Sequence, residues 1–443
     1  MDTIVALSTP WGRSAIGVIR LSGPESQIIA ARVCPSGPGW IPRRASLRTA
    51  VNKDGEAIDE TLAVWMPGPS SYTGEDVVEL SGHGNPVILA ALMDALVSAG
   101  ARPARPGEFT RRALENGRTN LLKAESLAAL IGARSMAGVR DARSGLDGSL
   151  ESESARLREQ LLDAAAELEA RLDHPDDDLS LRSDRSLADQ LLKHASDASD
   201  TADTWAASKV RLEGASVALI GPVNAGKSSL FNHLVGSARA LVSDRPGTTR
   251  DVVERGILID GMDITFLDTA GEGGTEDALE QAGVALGQTL SARADLRLIV
   301  LPVDRPISAS AERLMDRNVD KPHIVVGTFG DRTRDADGPQ TDWVVDNTTA
   351  EGVDAVRDAV RSEVGCSAVT PGGAVVLSQR QHDLFRAVGQ HCDAAAAALQ
   401  GALGPAVAAS EVVFAVERLG ELAGIDAREA VLDRLFSRFC IGK

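Results

Sequence analysis

Aromatic side chains are scarce in this chain: Phe, Trp and Tyr together make up 3% of its 443 residues. Its cores must therefore be built from Ala, Leu and Val. Positive charge is also in deficit, with 46 Lys and Arg against 63 Asp and Glu, a net charge of -17. That balance excludes a protein that grips nucleic acid with its whole surface, because phosphate binding rests on clustered Lys and Arg. Any RNA contact has to be local or shared. The four cysteines, Cys34, Cys366, Cys392 and Cys440, form no C-x-x-C pair, which fits neither a zinc site nor a disulfide framework and points to a reducing cytoplasm. No apolar run approaches the roughly 20 residues of a membrane span. Asp2 stands where a signal peptide would be basic, so a cytoplasmic location without membrane attachment is expected.

With 43% hydrophobic and 25% charged residues, the composition is that of a globular protein. The length exceeds the roughly 250–300 residues at which a single core stops growing, so about three domains are expected. Residues 1–118 alternate short apolar runs (Ile16 to Leu21, Leu62 to Met66, Val77 to Leu80) with Gly- and Pro-rich turns, the texture of an α+β domain. Residues 119–213 read as helix. There Leu157, Leu161, Ala165, Leu168 and Leu172 recur at spacings of three and four and should share one buried face. Pro175 stops that helix, and Asp176, Asp177 and Asp178 read as a solvated turn. Residues 214–372 carry the runs Val217 to Ile220, Ile264 to Leu267, Leu296 to Leu301 and Ile324 to Val326 between helix-length segments, as in a parallel α/β sheet. Helical texture returns in 373–443. The simplest architecture packs the two helical stretches as one bundle, with the α/β domain inserted between them.

The strongest motif is Gly221-Pro222-Val223-Asn224-Ala225-Gly226-Lys227-Ser228, a phosphate loop directly after the strand Val217 to Ile220 and opening a helix from Ser229. Glycines let backbone N–H groups curl around phosphates, Lys227 reaches the β- and γ-phosphates, and Ser228 places its hydroxyl on Mg²⁺. Two downstream pieces complete a switch GTPase: Gly247-Thr248-Thr249-Arg250-Asp251, and Asp268-Thr269-Ala270-Gly271 after its own strand. Thr249 would close onto Mg²⁺ and the γ-phosphate, Asp268 would hold the metal through water, and the Gly271 amide would sense the γ-phosphate. The base-reading loop departs from the usual N-K-x-D, running Thr328-Phe329-Gly330-Asp331. Asp331 can accept two hydrogen bonds from the guanine edge. Thr328 and Phe329 are expected to replace neither the bracing hydrogen bonds of Asn nor the Lys stem over the base. Asp346-Asn347-Thr348 stands where many GTPases have an S-A-K-like contact.

With these motifs in place, the chain resembles one family end to end, the tRNA modification GTPases called MnmE or TrmE. The resemblance runs from Asp2-Thr3-Ile4-Val5-Ala6 and Thr9-Pro10 through Ile19-Arg20, although Arg13-Ser14-Ala15 departs from the family's glycine-rich pattern. It continues through Tyr72-Thr73-Gly74-Glu75-Asp76, Ser81-Gly82-His83-Gly84 and Arg105-Pro106-Gly107-Glu108-Phe109-Thr110 to the terminal Phe439-Cys440-Ile441-Gly442-Lys443.

The resemblance implies a homodimer formed by folate-binding-like N-terminal domains, with helical domains that carry Ras-like G domains. It places folate contacts at Arg20, Glu79, Arg118 (where the family usually has lysine) and Lys443, the cations suiting the folate glutamate tail and Glu79 the pterin donors. It implies that Asn224 and the loop Ser243-Asp244-Arg245-Pro246-Gly247-Thr248 hold K⁺, with Asn224, Ser243, Arg245 and Thr248 as the ligating set. The K⁺ would supply charge that other GTPases take from an arginine finger. The water-orienting carboxylate falls on Glu280, with Glu272 a competitor nearer the phosphate. Cys440 stands where the family has a candidate reactive thiol, and a core role is equally open. The implied activity is K⁺-stimulated GTP hydrolysis that, with the flavoprotein MnmG (which carries the FAD) and a formyl- or methylene-tetrahydrofolate, places an aminomethyl or carboxymethylaminomethyl group on C5 of a tRNA wobble uridine. Two other readings stand beside it: a GTP-regulated assembly factor sharing only the G domain, and a nucleotide-binding scaffold that has lost hydrolysis.

Overall fold

The computed structural model describes residues 2–173, 182–236, 253–259, 262–268, 292, 294–318, 321–346, 348–364, 373–401, 403–425, 429–437, 439 and 442. It divides into two compact units, one of residues 1–128 with 416–443 and one of residues 129–415.

The first unit is built on a six-stranded sheet of order β3-β4-β5-β2-β1-β6, with β1 (Ile4–Leu7), β2 (Ile16–Ser22), β3 (Ser46–Val51), β4 (Ala57–Met66), β5 (Val77–His83) and β6 (Arg102–Pro103). Only the β1–β6 pairing is parallel. Alternate residues Val5, Ile19, Leu21, Val78 and Leu80 bury one face against α1 (Ser26–Val33) and α2 (Pro86–Ser98), the period of two that a half-covered sheet imposes. Helix α2 starts where Asn85 accepts the Val87 amide and Pro86 takes a position whose N–H would be orphaned anyway. A short α3 (Glu108–Glu115) follows, and the helix Glu429–Phe436 packs into the same unit, with Phe436 and Phe439 buried beside Ala124.

In the second unit, α4 (Leu121–Gly132, entering from the first unit) leads to α5 (Met136–Leu146), α6 (Ser149–Asp173) and α7 (Asp184–Glu213). Leu157, Leu161, Ala165 and Leu168 of α6 are buried, but Leu172 is 44% exposed. The expected stripe ends one turn early, because Leu172 lies in the helix's last turn, where α6 stops at Asp173.

The α/β sheet has the order β12-β11-β10-β7-β9-β8. Its strands are β7 (Ala215–Ile220), β8 (Val253–Ile259), β9 (Met262–Asp268), β10 (Leu296–Pro302), β11 (His323–Thr328) and β12 (Trp343–Val344), with α8 (Lys227–Gly236), α9 (Ala309–Asn318) and α10 (Val353–Glu363) among the connections. Five strands are parallel and β8 is an antiparallel edge. Val217 and Leu219 of β7 feed one core while Ala218 and Ile220 feed the other, as expected of a parallel strand covered on both faces.

After α10 the chain returns as α11 (Gln379–Gln400) and the helix Gly404–Ala423. Thr204 Oγ1 accepts the Val376 amide at 3.0 Å, Ser208 Oγ donates to the Val376 carbonyl, and Trp205 Nε1 donates to Gln379 Oε1 at 3.0 Å. These bonds hold the exit of the α/β segment beside its entrance, the geometry of an inserted domain. Helices α7 and α11 approach closely at Gly389, where a Cβ would stand 3.0 Å from Ser199 Oγ. Among the described residues no helix is long and apolar enough to cross a membrane.

Candidate functional site

Strand order reverses between β7 and β10, and in open α/β sheets ligands bind in the crevice at such a switch point. The phosphate loop leaves β7 there. Gly221 has no room for a side chain, since a Cβ would lie 2.3 Å from the Val300 carbonyl, and Asn224 and Gly226 both take positive φ (59° and 84°) to turn the backbone into α8. The backbone amides of Lys227, Ser228 and Ser229 lie in the first turn of α8, where N–H groups point out of the helix N-terminus and make it an anion cradle. Lys227, 7% exposed, donates to the carbonyls of Gly221 at 3.0 Å and Pro222 at 2.8 Å.

Asp268 ends β9 in register with Leu219 of β7. Its carboxylate accepts a hydrogen bond from Ser228, and burial pushes its pKa up against the opposing pull of that bond and of Lys227. A hydroxyl and a carboxylate side by side are hard oxygen donors, the set that suits Mg²⁺. Sequence distance hides this contact, but the two motifs together predicted that both residues serve one metal. Ser243, Asp244, Arg245, Pro246, Gly247, Thr248, Thr249, Thr269, Ala270, Gly271 and Glu280 lie outside the described residues. Of the implied K⁺ ligands, the structure therefore describes Asn224 alone.

The loop after β11 differs from expectation. Thr328 is fully buried, and its hydroxyl lies 2.5 Å from the carbonyl of Ala225 in the phosphate loop and 3.3 Å from that of Leu301. The expectation that Thr328 cannot supply a bracing hydrogen bond is wrong, because a short hydroxyl suffices where strand β11 runs this close to the phosphate loop. Phe329 takes φ 62°, with the Arg332 guanidinium 4.3 Å and that of Arg305 5.8 Å from its ring centroid. Asp331 is exposed. Asp346 accepts the amides of Thr348 and Thr349 at 2.6 and 3.2 Å and the Thr349 hydroxyl at 2.6 Å, which closes the turn in the neighbouring loop.

In the first unit, Arg20 and Glu79 are cross-strand partners on β2 and β5, joined by an ion pair of 2.8 Å. Arg20 also donates to the carbonyl of Gly442 at 3.2 Å, with its guanidinium 5.7 Å from the Tyr72 ring and 5.8 Å from that of Phe109. Arg118 is exposed, and its stem lies against Gly74, where a Cβ would be 3.2 Å from Arg118 Cγ. The stretch 72–74 thus has Arg20 near the exposed Tyr72 ring and Arg118 against Gly74. Lys443 and Cys440 lie outside the described residues. Cys34 and Cys392 are buried, with burial pushing the Cys392 thiol up to about 12.

Sequence reasoning missed a charge network in the same unit, in which Arg112, Glu75 and Glu108 are buried or nearly so while Asp2 and Arg102 are about half exposed. Arg112 pairs with Asp2 at 2.6 Å, Glu75 at 3.1 Å and Glu108 at 3.2 Å, while Arg102 pairs with Asp2 and Glu108, each at 2.6 Å. The available signal was Glu108 and Arg112 at i and i+4, one helix face.

Residues 3–118 match the model for the GTP-binding protein TrmE N-terminus, and residues 121–440 match that for the MnmE helical domain. The chain is 39% identical over 444 residues to the tRNA modification GTPase MnmE of Myxococcus xanthus (strain DK1622), a match covering 100% of this chain and 99% of the relative. It is 38% identical over 457 residues to that of Synechococcus sp. (strain CC9605), covering 100% and 99%, and 36% identical over 455 residues to that of Halorhodospira halophila (strain DSM 244 / SL1), covering 100% and 96%. Taken with the phosphate loop at the sheet's switch point, these matches show that the chain belongs to the MnmE (TrmE) family of tRNA modification GTPases.

Proposed function

We propose that this GTP hydrolase is stimulated by K⁺ and, with an MnmG-type flavoprotein and a tetrahydrofolate one-carbon donor, modifies C5 of the wobble uridine of certain tRNAs in the cytoplasm. The carrying observation is that Lys227, Ser228 and Asp268 converge at the end of β7. Lys227 and the α8 amides would bind and orient the β- and γ-phosphates. Ser228 and Asp268, with Thr249, would hold Mg²⁺, which when bound neutralises charge on the phosphate oxygens. Asp331 would read guanine, and Glu280 would orient the attacking water.

The division of labour follows the chain: residues 1–118 for folate binding and dimerisation, 119–213 and 373–443 for the helical domain, 214–372 for the G domain. Arg20, Glu79, Arg118 and Lys443 would hold the folate. The pairing of Arg20 with both Glu79 and Gly442 supports this, because one guanidinium links the Gly442 carbonyl, Glu79 and the neighbourhood of the exposed Tyr72 ring. A homodimer completes the reading, and a tRNA surface shared with the partner fits the strongly negative net charge.

The test is hydrolysis of GTP and ATP in KCl against NaCl. GTP turnover that rises in KCl is expected. Equal turnover in both salts removes the K⁺ role, and absence of GTP turnover in either removes the whole reading.

A further inference from the structure

The loop that carries Asp331 is fixed from three directions. Thr328, the last residue of β11, is fully buried with its hydroxyl on the Ala225 carbonyl at 2.5 Å, so the strand end is tied to the phosphate loop. On the other flank, the Gly330 amide donates to the Val345 carbonyl at 3.1 Å. Between these ties, the Phe329 ring lies under the Arg332 guanidinium at 4.3 Å. Asp304, after β10, accepts from Arg332 Nη1 on one oxygen at 2.6 Å and from Arg305 Nε on the other at 2.9 Å. A phenylalanine at φ 62° is a conformation that persists only where the surroundings over-determine it, and such residues cluster at ligand clamps.

We propose that Thr328, and the layer Phe329–Arg332–Asp304, are positioning residues for guanine specificity: they hold the Asp331 loop in place as the Asn and Lys of the usual base-reading motif would. This rests on the reading of Asp331 as the guanine contact. A carboxylate discriminates guanine only if it is held at hydrogen-bond distance from both base donors. In this chain rigidity comes from a hydroxyl brace and a cation–aromatic stack instead of an amide and an alkyl stem. Because the brace ends on Ala225, the base loop and the phosphate loop are positioned as one body.

The experiment titrates the purified full chain with fluorescent GDP and ADP, and with xanthosine diphosphate for Asp331→Asn. Thr328→Ser keeps the hydroxyl and should retain the GDP-over-ADP preference within about twofold, whereas Thr328→Val and Arg332→Ala should each lower it about tenfold. Arg332 is half exposed (side chain 51%), so its removal tests the layer without disturbing the core. Asp331→Asn keeps one acceptor and gains a donor, and should shift preference from guanine toward xanthine, which carries an acceptor where guanine has its amino group. Recovery in Thr328→Ser with loss in the other two supports the positioning role. If Asp331→Asn gains xanthosine diphosphate while Thr328→Val and Arg332→Ala keep full selectivity, the clamp is overturned and the base contact stands. If Asp331→Asn leaves selectivity unchanged, the base contact itself is overturned, and the clamp falls with it.

Discussion

Arg20 and Glu79 stand opposite each other on β2 and β5 and close a 2.8 Å ion pair, and the same guanidinium reaches the carbonyl of Gly442 at 3.2 Å. The pair is partly exposed, 20% and 32%, so it contributes only about 0–1 kcal/mol to stability. Its value lies in aiming a cation between Tyr72 and Gly442. Arg20→Ala should weaken 5-formyl-tetrahydrofolate binding about tenfold or more, equivalent to roughly 1.4 kcal/mol, with little change in melting temperature. Titration calorimetry on the full chain reads this directly, and unchanged affinity would remove Arg20 from the folate site.

Lys227→Ala should abolish measurable GTP turnover. Backbone amides at the α8 N-terminus can cradle phosphates, but they carry only about half a unit charge between them. They do not replace an ammonium at the β/γ bridge. A phosphate-release assay on folded mutant protein is sufficient, and wild-type turnover there would contradict the phosphate-loop assignment.

Asp268→Asn should raise the melting temperature of the nucleotide-free chain near neutral pH while weakening Mg²⁺-dependent GDP binding. Burial raises the folded pKa of Asp268 above its unfolded value, so its ionised form costs stability in full above the folded pKa, and that cost shrinks as pH falls below the folded pKa and is gone below the unfolded one. The stabilising effect of the substitution should therefore shrink on acidification. Differential scanning at several pH values checks the sign, and a mutant that melts lower than wild type at every pH defeats the argument.

What was legible in the sequence was local. The phosphate loop is eight consecutive residues, and the short continuous apolar runs of β7, β10 and β11 mark strands buried on both faces. The edge strand β8 escaped because it pairs antiparallel with β9, a register that follows from pairing and not from composition. The Thr328 brace joins residues 103 apart in sequence, and no spacing rule links a threonine to an alanine carbonyl. The charge network likewise joins Asp2, Glu75, Arg102, Glu108 and Arg112, each of which reads as an ordinary surface charge in isolation. Leu172 failed in the opposite sense, since periodicity shows which face is apolar but not how far the covering elements extend.

Arg112→Met should destabilise the N-terminal unit by about 3–5 kcal/mol, because it strands a buried carboxylate. The side chains of Arg112 and Glu75 are 7% and 9% exposed, and Glu75 also accepts from Ser22 at 2.7 Å. The same network predicts acid sensitivity. Hydrogen bonds from Arg102 and Arg112 hold Asp2 well below the usual carboxylate range. Burial alone would raise Glu108, but Arg102 and the Arg105 amide outweigh it and hold it low as well. Depressed folded pKa values mean that this stability is present above the unfolded values, about 4. It is lost as pH falls from there through the folded values. Wild-type melting temperature should thus drop steeply below about pH 4, and the Arg112→Met chain should show a shallower drop; parallel curves would mean that the network contributes no pH-dependent stability.

Gly442→Ala should mimic deletion of Lys443. Gly442 takes φ 95°, and a Cβ there would meet the Leu7 carbonyl at 2.3 Å and Ser8 Cα at 2.9 Å. Both are backbone atoms of the strand β1 end and the residue after it, so neither can swing aside as a side-chain tip could. The added methyl has to move residue 442 away from the end of β1. That would break two contacts made to the Gly442 carbonyl, from Arg20 Nη1 and from Ser8 Oγ, each at 3.2 Å. If Lys443 delivers a cation to the folate through this anchor, Gly442→Ala and removal of Lys443 act on one step, and the double variant should bind 5-formyl-tetrahydrofolate no more weakly than either single one. Additive losses would show that the anchor and the lysine act separately. Full affinity in Gly442→Ala would show that the terminus reaches its site without the glycine.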